Sequence, residues 1–284
     1  MIHLAVGRFN IDVIVRLDTI PPIDSNHVTD VLEILPGGAA TNYAVAVTKF
    51  GHSAKLLAKV GKNEVVKSLM EKVIEMGVGL EYVEEVNEKP SVTLIFLRND
   101  GSLSMVRRLG ASILLTREDV KKHFGLFDVI HFASVSPNIV TRDPYAKLIS
   151  YDPGPYSKDI NVIDVDILYL NEKEFENVKD KNIRAKYIVV KMGKKGARVI
   201  TQDNEECVVE SLEVEKVVDT TGAGDTFDAA FNISILEDRN VERALQLATV
   251  ASGLKIMKIG GISSPTLEEV REYLRKKKPK VICK

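Results

Sequence analysis

Short apolar runs alternate with helical segments along most of this chain, and no other feature constrains its fold as much. The runs Ile2 to Val6, Lys55 to Val60, Val129 to Phe132, Ile167 to Leu170, Tyr187 to Lys191 and Ala197 to Thr201 have the length and composition of buried strands. Between them lie segments with helical spacing: Ala40 to Phe50 closed by Gly51, Val65 to Met76 closed by Gly77, Asp225 to Leu236, and Val241 to Ile256. In the third of these, Phe227, Ala230, Phe231 and Ile235 share one face. Strand and helix in turn predict a mainly parallel central sheet in a three-layer α/β/α domain, because a parallel pair needs a crossover and a helix supplies it.

Two stretches break that rhythm. Residues 12–35 and 91–109 alternate apolar and polar positions without a helical segment. Val92 to Leu97 and Leu103 to Val106, joined through Asp100-Gly101, predict a hairpin, since Asp-Gly is a strong turn signal. These stretches are expected to form a small antiparallel β-sheet set into the α/β domain, which takes residues 1–11, 36–90 and 110–284.

Bulk composition removes several function classes. With 39 Lys+Arg against 40 Asp+Glu the net charge is −1, which argues against a general nucleic-acid binder, since that needs clustered positive charge. The basic run Arg275 to Lys280 reads as a solvated tail. No apolar stretch approaches the ~20 residues that span a bilayer, and no leader is recognisable, so a cytosolic protein is expected. Two cysteines, Cys207 and Cys283, have no metal-type spacing, and two thiols in a chain of this length make no disulfide framework.

The strongest chemical signal is Asp219-Thr220-Thr221-Gly222-Ala223-Gly224-Asp225-Thr226-Phe227, running directly into a helix. Small residues at 222–224 let backbone amides converge, and at a helix N-terminus those amides and the helix dipole form an anion site. Asp225 stands beside it, placed to take a proton from an attacking hydroxyl. A capped glycine turn would look the same in isolation. Weaker signals lie upstream. Gly37-Gly38-Ala39-Ala40-Thr41-Asn42 allows close backbone approach to a ligand and offers a carboxamide. In Gly7-Arg8-Phe9-Asn10-Ile11-Asp12, strand alternation puts Arg8, Asn10 and Asp12 on one face, and an amide with a carboxylate suits a diol. Asn171-Glu172-Lys173-Glu174 follows a buried strand and carries oxygens able to order the water shell of Mg²⁺, although it equally reads as an acidic helix start. Lys191-Met192-Gly193-Lys194-Lys195-Gly196 is a tight turn between strands.

Together and in this order, these motifs resemble the ribokinase-like (PfkB) family of carbohydrate kinases, and the similarity spans nearly the whole chain. The resemblance implies a Rossmann-like α/β domain with a β-sheet lid, and a kinase that uses ATP, or ADP, with Mg²⁺. It implies Asp225 as catalytic base and the backbone of Gly222, Ala223 and Gly224 as anion hole. It implies Asn10, Asp12, Gly38 and Asn42 as the residues that hold substrate hydroxyls. Lys191, Gly193, Gly196, Thr221 and Gly224 would line the nucleotide, and Asn171 and Glu174 would serve Mg²⁺ through water. Asp219 and Thr221, with backbone from the 258–264 loop, would bind a monovalent cation such as K⁺. Pairing of two lids in a homodimer is a further implication. The chain departs from the family pattern at Asn63 and Val66, at residues 131–137, which lack a Glu that some sugar kinases carry, and at Ala230.

Arg8 stands where relatives have a small residue, and Arg107 and Arg108 fall in a lid strand, where alternation turns one of them inward. Converging arginines suit an anionic substrate, so the phosphoryl acceptor stays open between a neutral sugar, a sugar acid or sugar phosphate, and a nucleoside. A dinucleotide oxidoreductase is disfavoured, because no Gly-x-Gly-x-x-Gly follows an early strand. A non-catalytic sugar-binding regulator would have no need of Asp225.

Overall fold

A computed structural model describes all residues, 1–284. The first strand, β1 (Ile2–Gly7), leads straight into β2 (Asn10–Arg16) and β3 (Leu32–Gly37) of a second sheet. Helix α1 (Ala39–Lys49), β4 (Ser53–Gly61), α2 (Glu64–Glu75) and β5 (Val78–Val86) return to the main sheet. The hairpin β6 (Val92–Leu97) and β7 (Leu103–Arg108) completes the second sheet. There follow α3 (Arg117–Lys121), β8 (Val129–Ala133), β9 (Leu148–Asp152), β10 (Val162–Asp164), β11 (Ile167–Asn171), α4 (Glu172–Val178), β12 (Asn182–Arg184) and β13 (Tyr187–Lys191). The chain closes with β14 (Ala197–Thr201), β15 (Glu206–Val209), α5 (Ala223–Asp238), α6 (Val241–Lys255), α7 (Leu267–Lys276) and β16 (Val281–Cys283).

The main sheet has the order β16-β15-β14-β13-β11-β9-β8-β1-β4-β5, parallel from β13 to β5 and antiparallel at the other edge. Its chain direction switches at β1, whose neighbours β4 and β8 lead away to opposite sides. The crevice beyond the carboxyl ends of strands at such a switch is where open α/β sheets bind ligands. Each face of the sheet has its own core. The larger includes α1 and α5, the smaller lies on the α4 side. Helix α1 is buried continuously from Ala40 to Val47 and α5 from Thr226 to Ile235, which explains the Ala and Val of the first and the Ala, Phe and Ile of the second: neither has a solvent face over those turns.

The second sheet has the order β3-β2-β6-β7; its two hairpins are antiparallel and the inner strands β2 and β6 run parallel. Paired residues share a face. Ile14, Ile95 and Leu97 therefore line the inner face, packing with Ile259. Leu32, Ile34 and Val106 lie exposed on the outer one.

The cysteines correct the sequence expectation. Cys207 on β15 and Cys283 on β16 are directly opposite in the ladder and form a disulfide. Nothing in their spacing announced it, because the pairing depends on where the last strand docks. No helix is long and apolar enough to cross a membrane.

Candidate active site

Helix α5 begins at a turn fixed by Asp219. Its carboxylate accepts from the amides of Thr221 and Gly260, both at 2.8 Å, and so ties the start of the helix to the 258–264 loop. Gly222 is the N-cap with φ 77°, and a Cβ there would run into the Gly261 carbonyl, so only glycine fits. No side chain caps the helix. The Ala223 amide reaches Thr220 O at 3.3 Å, whereas those of Gly222, Gly224 and Asp225 have no acceptor in the chain. Three free amides at the positive end of a 16-residue helix make an anion site.

Asp225 lies at that opening. Its Oδ2 accepts from Asn42 Nδ2 at 2.8 Å, across 183 residues of sequence. Burial raises its carboxyl to about 6, against the Asn42 hydrogen bond and with a further push from Asp152. It is ionised at neutral pH and close enough to it to serve as a base.

Asn42 leads into a pocket built by the ends of β1, β2 and α1. Gly38 caps α1 with φ 96°, pressed against the Arg8 carbonyl. Asn10 Nδ2 donates to Thr93 Oγ1 at 3.1 Å. Asn10 Oδ1, Asp12 Oδ1 and Asn42 Oδ1 are buried and receive no hydrogen bond. Burial lifts Asp12 to about 7, with Thr93 and Arg107 pulling it back. Three buried, unpaired acceptors in one pocket call for a ligand that brings donors. Thr93 was missed in the sequence, where only the cross-strand register Asp12–Thr93–Arg107 could have found it.

That register also separates the lid arginines. Arg107 shares the inner face with Asp12. Arg108 lies in the outer row with Ile11 and Val92 and donates to Pro90 O at 3.2 Å, so it is not brought to the pocket. Arg8 is 6 % exposed; its Nη2 donates to Tyr156 Oη at 2.8 Å and its guanidinium stands 5.5 Å from that ring. It forms no ion pair. Burial lowers its pKa and the nearby Arg107 adds to the effect.

On the other side of Asp225, Lys191 Nζ pairs with Asp152 Oδ2 at 2.7 Å and Asp228 Oδ1 at 2.9 Å. Two carboxylates share one ammonium. Burial disfavours charge on both; Lys191 prevails at Asp152, which is lowered, while the fully enclosed Asp228 is pushed well above the usual range. A Cβ on Gly224 would come 3.1 Å from Lys191 Nζ, which places the ammonium beside the free amides. Asp152 and Asp228 lie outside every motif read from the sequence. Gly193 and Gly196 bound the turn from β13 to β14, and Gly193 faces open space.

Asn171 and Glu174 form a capping box for α4, with Asn171 N to Glu174 Oε2 at 2.8 Å and Glu174 N to Asn171 Oδ1 at 2.9 Å. The motif is thus a helix start first. Glu174 Oε1 nonetheless takes no hydrogen bond, and burial together with Asp152 holds the group up to about 7. A cation between Asp152 and Glu174 would relieve that repulsion, so the residues fit the outer coordination of Mg²⁺.

Thr221 Oγ1 is buried and unpaired. Beneath the Asp219 turn, fully buried Lys255 donates to Asp219 O at 3.0 Å and Lys258 O at 3.2 Å. Burial brings it down to about 8 against the pull of Asp219 and Asp225, so it keeps its proton at neutral pH.

The profile of the pfkB family carbohydrate kinases matches residues 3–151 and 161–268. A ribokinase of Lactococcus lactis is 28% identical, aligned over 95% of this chain and 96% of its own. An ATP-dependent ribose-1-phosphate kinase of Halopiger xanaduensis is 27% identical over 95% and 97%, and a nucleoside kinase of Methanocaldococcus jannaschii 27% over 95% and 96%. Among solved structures, the ribokinase of Giardia lamblia superposes with a TM-score of 0.83 at 21% identity, covering 97% of this chain and 99% of that one. The ribokinase of Arabidopsis thaliana complexed with ribose and ATP gives 0.78 at 23% identity, covering 96% and 98%.

Proposed function

The chain belongs to the pfkB family of carbohydrate kinases, and on that premise we propose that it transfers the terminal phosphoryl group of ATP to a hydroxyl of a small sugar or sugar derivative, with Asp225 as general base. The observation that carries this is the juxtaposition at Asn42. Its Nδ2 holds the carboxylate of Asp225 beside three free helix amides, and its Oδ1 belongs with Asn10 Oδ1 and Asp12 Oδ1 to the set of unpaired acceptors.

A polyol supplies the donors those oxygens lack. Its hydroxyls bond to Asn10, Asp12 and Asn42, which brings the reacting oxygen to Asp225. Asp225 takes the proton as that oxygen attacks the γ-phosphorus, and the β–γ bridging oxygen leaves with the electron pair. The amides of Gly222, Gly224 and Asp225 and the Lys191 ammonium face the charge on the phosphoryl group in flight. Lys191, Gly193, Gly196 and Thr221 border the nucleotide. When bound, Mg²⁺ neutralises phosphate charge; Asn171 and Glu174, with Asp152, would hold its water shell. The second sheet acts as a lid whose inner face, carrying Asp12, Thr93 and Arg107, covers the substrate and excludes water. Its outer apolar face, with Leu32, Ile34 and Val106 exposed, is where two lids would pair in a homodimer, a doubled mass by light scattering being the expected outcome.

One observation favours an anionic substrate over a neutral one. Arg8 is a buried cation without a carboxylate partner, and buried charges are ordinarily paired. With Arg107 on the same side, it makes a cationic pole for a sugar phosphate or sugar acid, and a relative phosphorylates ribose 1-phosphate by its name. ADP release measured against neutral sugars, nucleosides, sugar acids and sugar phosphates tests both statements. Turnover of the neutral compounds alone removes the arginine reading. A folded Asp225→Asn protein with normal turnover removes the base.

A further inference from the structure

We propose that the ammonium of Lys255 is this enzyme's built-in monovalent cation, a fixed charge between the carbonyls of residues 219 and 258 that makes phosphoryl transfer independent of added K⁺ or Na⁺. This rests on the kinase function above.

The resemblance implies a bound monovalent cation at Asp219 and Thr221 with backbone from the 258–264 loop, and the oxygens there do not fit one. The Asp219 and Lys258 carbonyls already accept from Lys255 Nζ, at 3.0 and 3.2 Å. Both carboxylate oxygens of Asp219 are taken by the amides of Thr221 and Gly260. Of the implied side-chain ligands only Thr221 Oγ1 is unpaired, and an added K⁺ would meet carbonyls already engaged and a like charge.

Lys255 is not where packing alone would place a lysine. It ends α6 on the stripe of Ala244, Ala248 and Ala251, all fully buried, and is itself 0 % exposed. Enclosing an ammonium is costly even after relaxation, and an apolar residue would avoid that cost. The amine makes no ion pair. It is held by main-chain carbonyls, the ligand type that replaces the hydration shell of K⁺.

The two carbonyls belong to different loops. One precedes Gly222; the other opens the 258–264 loop, whose Gly261 packs against Gly222 and against the Asn42 carboxamide. The ammonium clamps these loops together, keeping the free amides of Gly222 and Gly224 aimed at the transferred phosphoryl group. It also adds positive charge under the start of α5. Lys255 touches neither substrate nor nucleotide, so it is a positioning residue.

The test is ADP release with whichever substrate the panel identifies, with MgATP, in K⁺, Na⁺ or tetramethylammonium salts at constant ionic strength. Wild-type rates are expected to agree within about twofold, and a severalfold stimulation by K⁺ overturns the proposal. Lys255→Ala is expected to lose about 30-fold or more in kcat with a small change in KM for the sugar, and to recover part of it in K⁺ or NH₄⁺. A folded variant of normal activity, or one that is slow and indifferent to every cation, overturns it. Thermal melting gives a readout without turnover: K⁺ should leave the wild-type Tm where tetramethylammonium does and should raise that of Lys255→Ala. If the variant does not fold, the wild-type cation series decides alone. A protein that releases no ADP with any substrate contradicts the proposed function instead, while the wild-type melting curves still decide the cation question.

Discussion

Helices α1 and α5 each serve two sets of buried polar side chains, and the sets are completed differently. The active site uses Asn42 and Asp225. One residue further along α1 and two turns further along α5, Tyr43 and Asn232 belong to a network inside the core. Tyr43 Oη joins His3 Nδ1 and Asn232 Nδ2, both at 2.9 Å. Asn232 also donates to Ser150 Oγ and accepts from Tyr169 Oη, each at 2.8 Å, and Ser150 meets His131 Nδ1 at 2.9 Å. Only the outermost nitrogens, His3 Nε2 and His131 Nε2, are left over. In the site the leftover atoms are the acceptors of Asn10, Asp12 and Asn42. A closed network stabilises a unique core. A row of like-handed, unanswered acceptors is stable only as a place for a ligand.

Substitutions should separate the two sets, and the largest effect is expected at Asp225. Asp225→Asn should lower kcat by about 10²- to 10⁴-fold, the usual share of a general base, with substrate binding by calorimetry retained. Next in size is a pair that should move in opposite senses. Asn42→Leu should lose about 100-fold in kcat/KM with a smaller loss of Tm than Asn232→Leu, because the unpaired acceptor it removes offsets the donor it takes from Asp225. Asn232→Leu should keep kcat/KM within about threefold and lose about 2–4 kcal/mol of stability by denaturant titration, because it strands several buried hydroxyls. Equal Tm changes would erase the distinction between the sets.

Acid should also distinguish them. Burial holds His3 and His131 near 3 in the folded protein against 6.5 in the unfolded chain. At these two sites the unfolded state therefore binds more protons between those values, so their contribution to stability falls as pH drops below 6.5, while the raised carboxyls of Asp12, Glu174 and Asp225 contribute in the opposite sense. The slope is at most about 1.4 kcal/mol per pH unit for each histidine, readable from urea midpoints. Activity should have its own acid limb near pH 6, where Asp225 takes up its proton. The smallest effect is expected from Gly224→Ala, whose new methyl presses on Lys191, a loss of severalfold in kcat.

Much of this was legible in the sequence, for identifiable reasons. Parallel strands and buried helices announce themselves through apolar runs and turn glycines, which are local. Asp225 and its glycines were legible because a helix start is local too. Thr93, Tyr156, Asp152 and Asp228 were not, since each matters only through a partner that the sheet order brings alongside. The arginine pair was half legible: alternation showed that one of Arg107 and Arg108 turns inward, and the register with Asp12 was needed to say which. Lys255 is marked by its place in α6. Its spacing from Ala244, Ala248 and Ala251 puts it on the buried stripe of α6, and a lone lysine there calls for an explanation.

The bond between Cys207 and Cys283 has a consequence for how the molecule comes apart. It closes a covalent ring over a separation of 76 residues, and inside that ring lie α5, α6 and α7, and with them Asp225, its amides and Lys255. A protease that cuts once between residues 208 and 282 opens a loop but releases no fragment. Such a nicked protein should run intact on a denaturing gel without reductant and split in two with it, so its active-site segment can be cut without being lost.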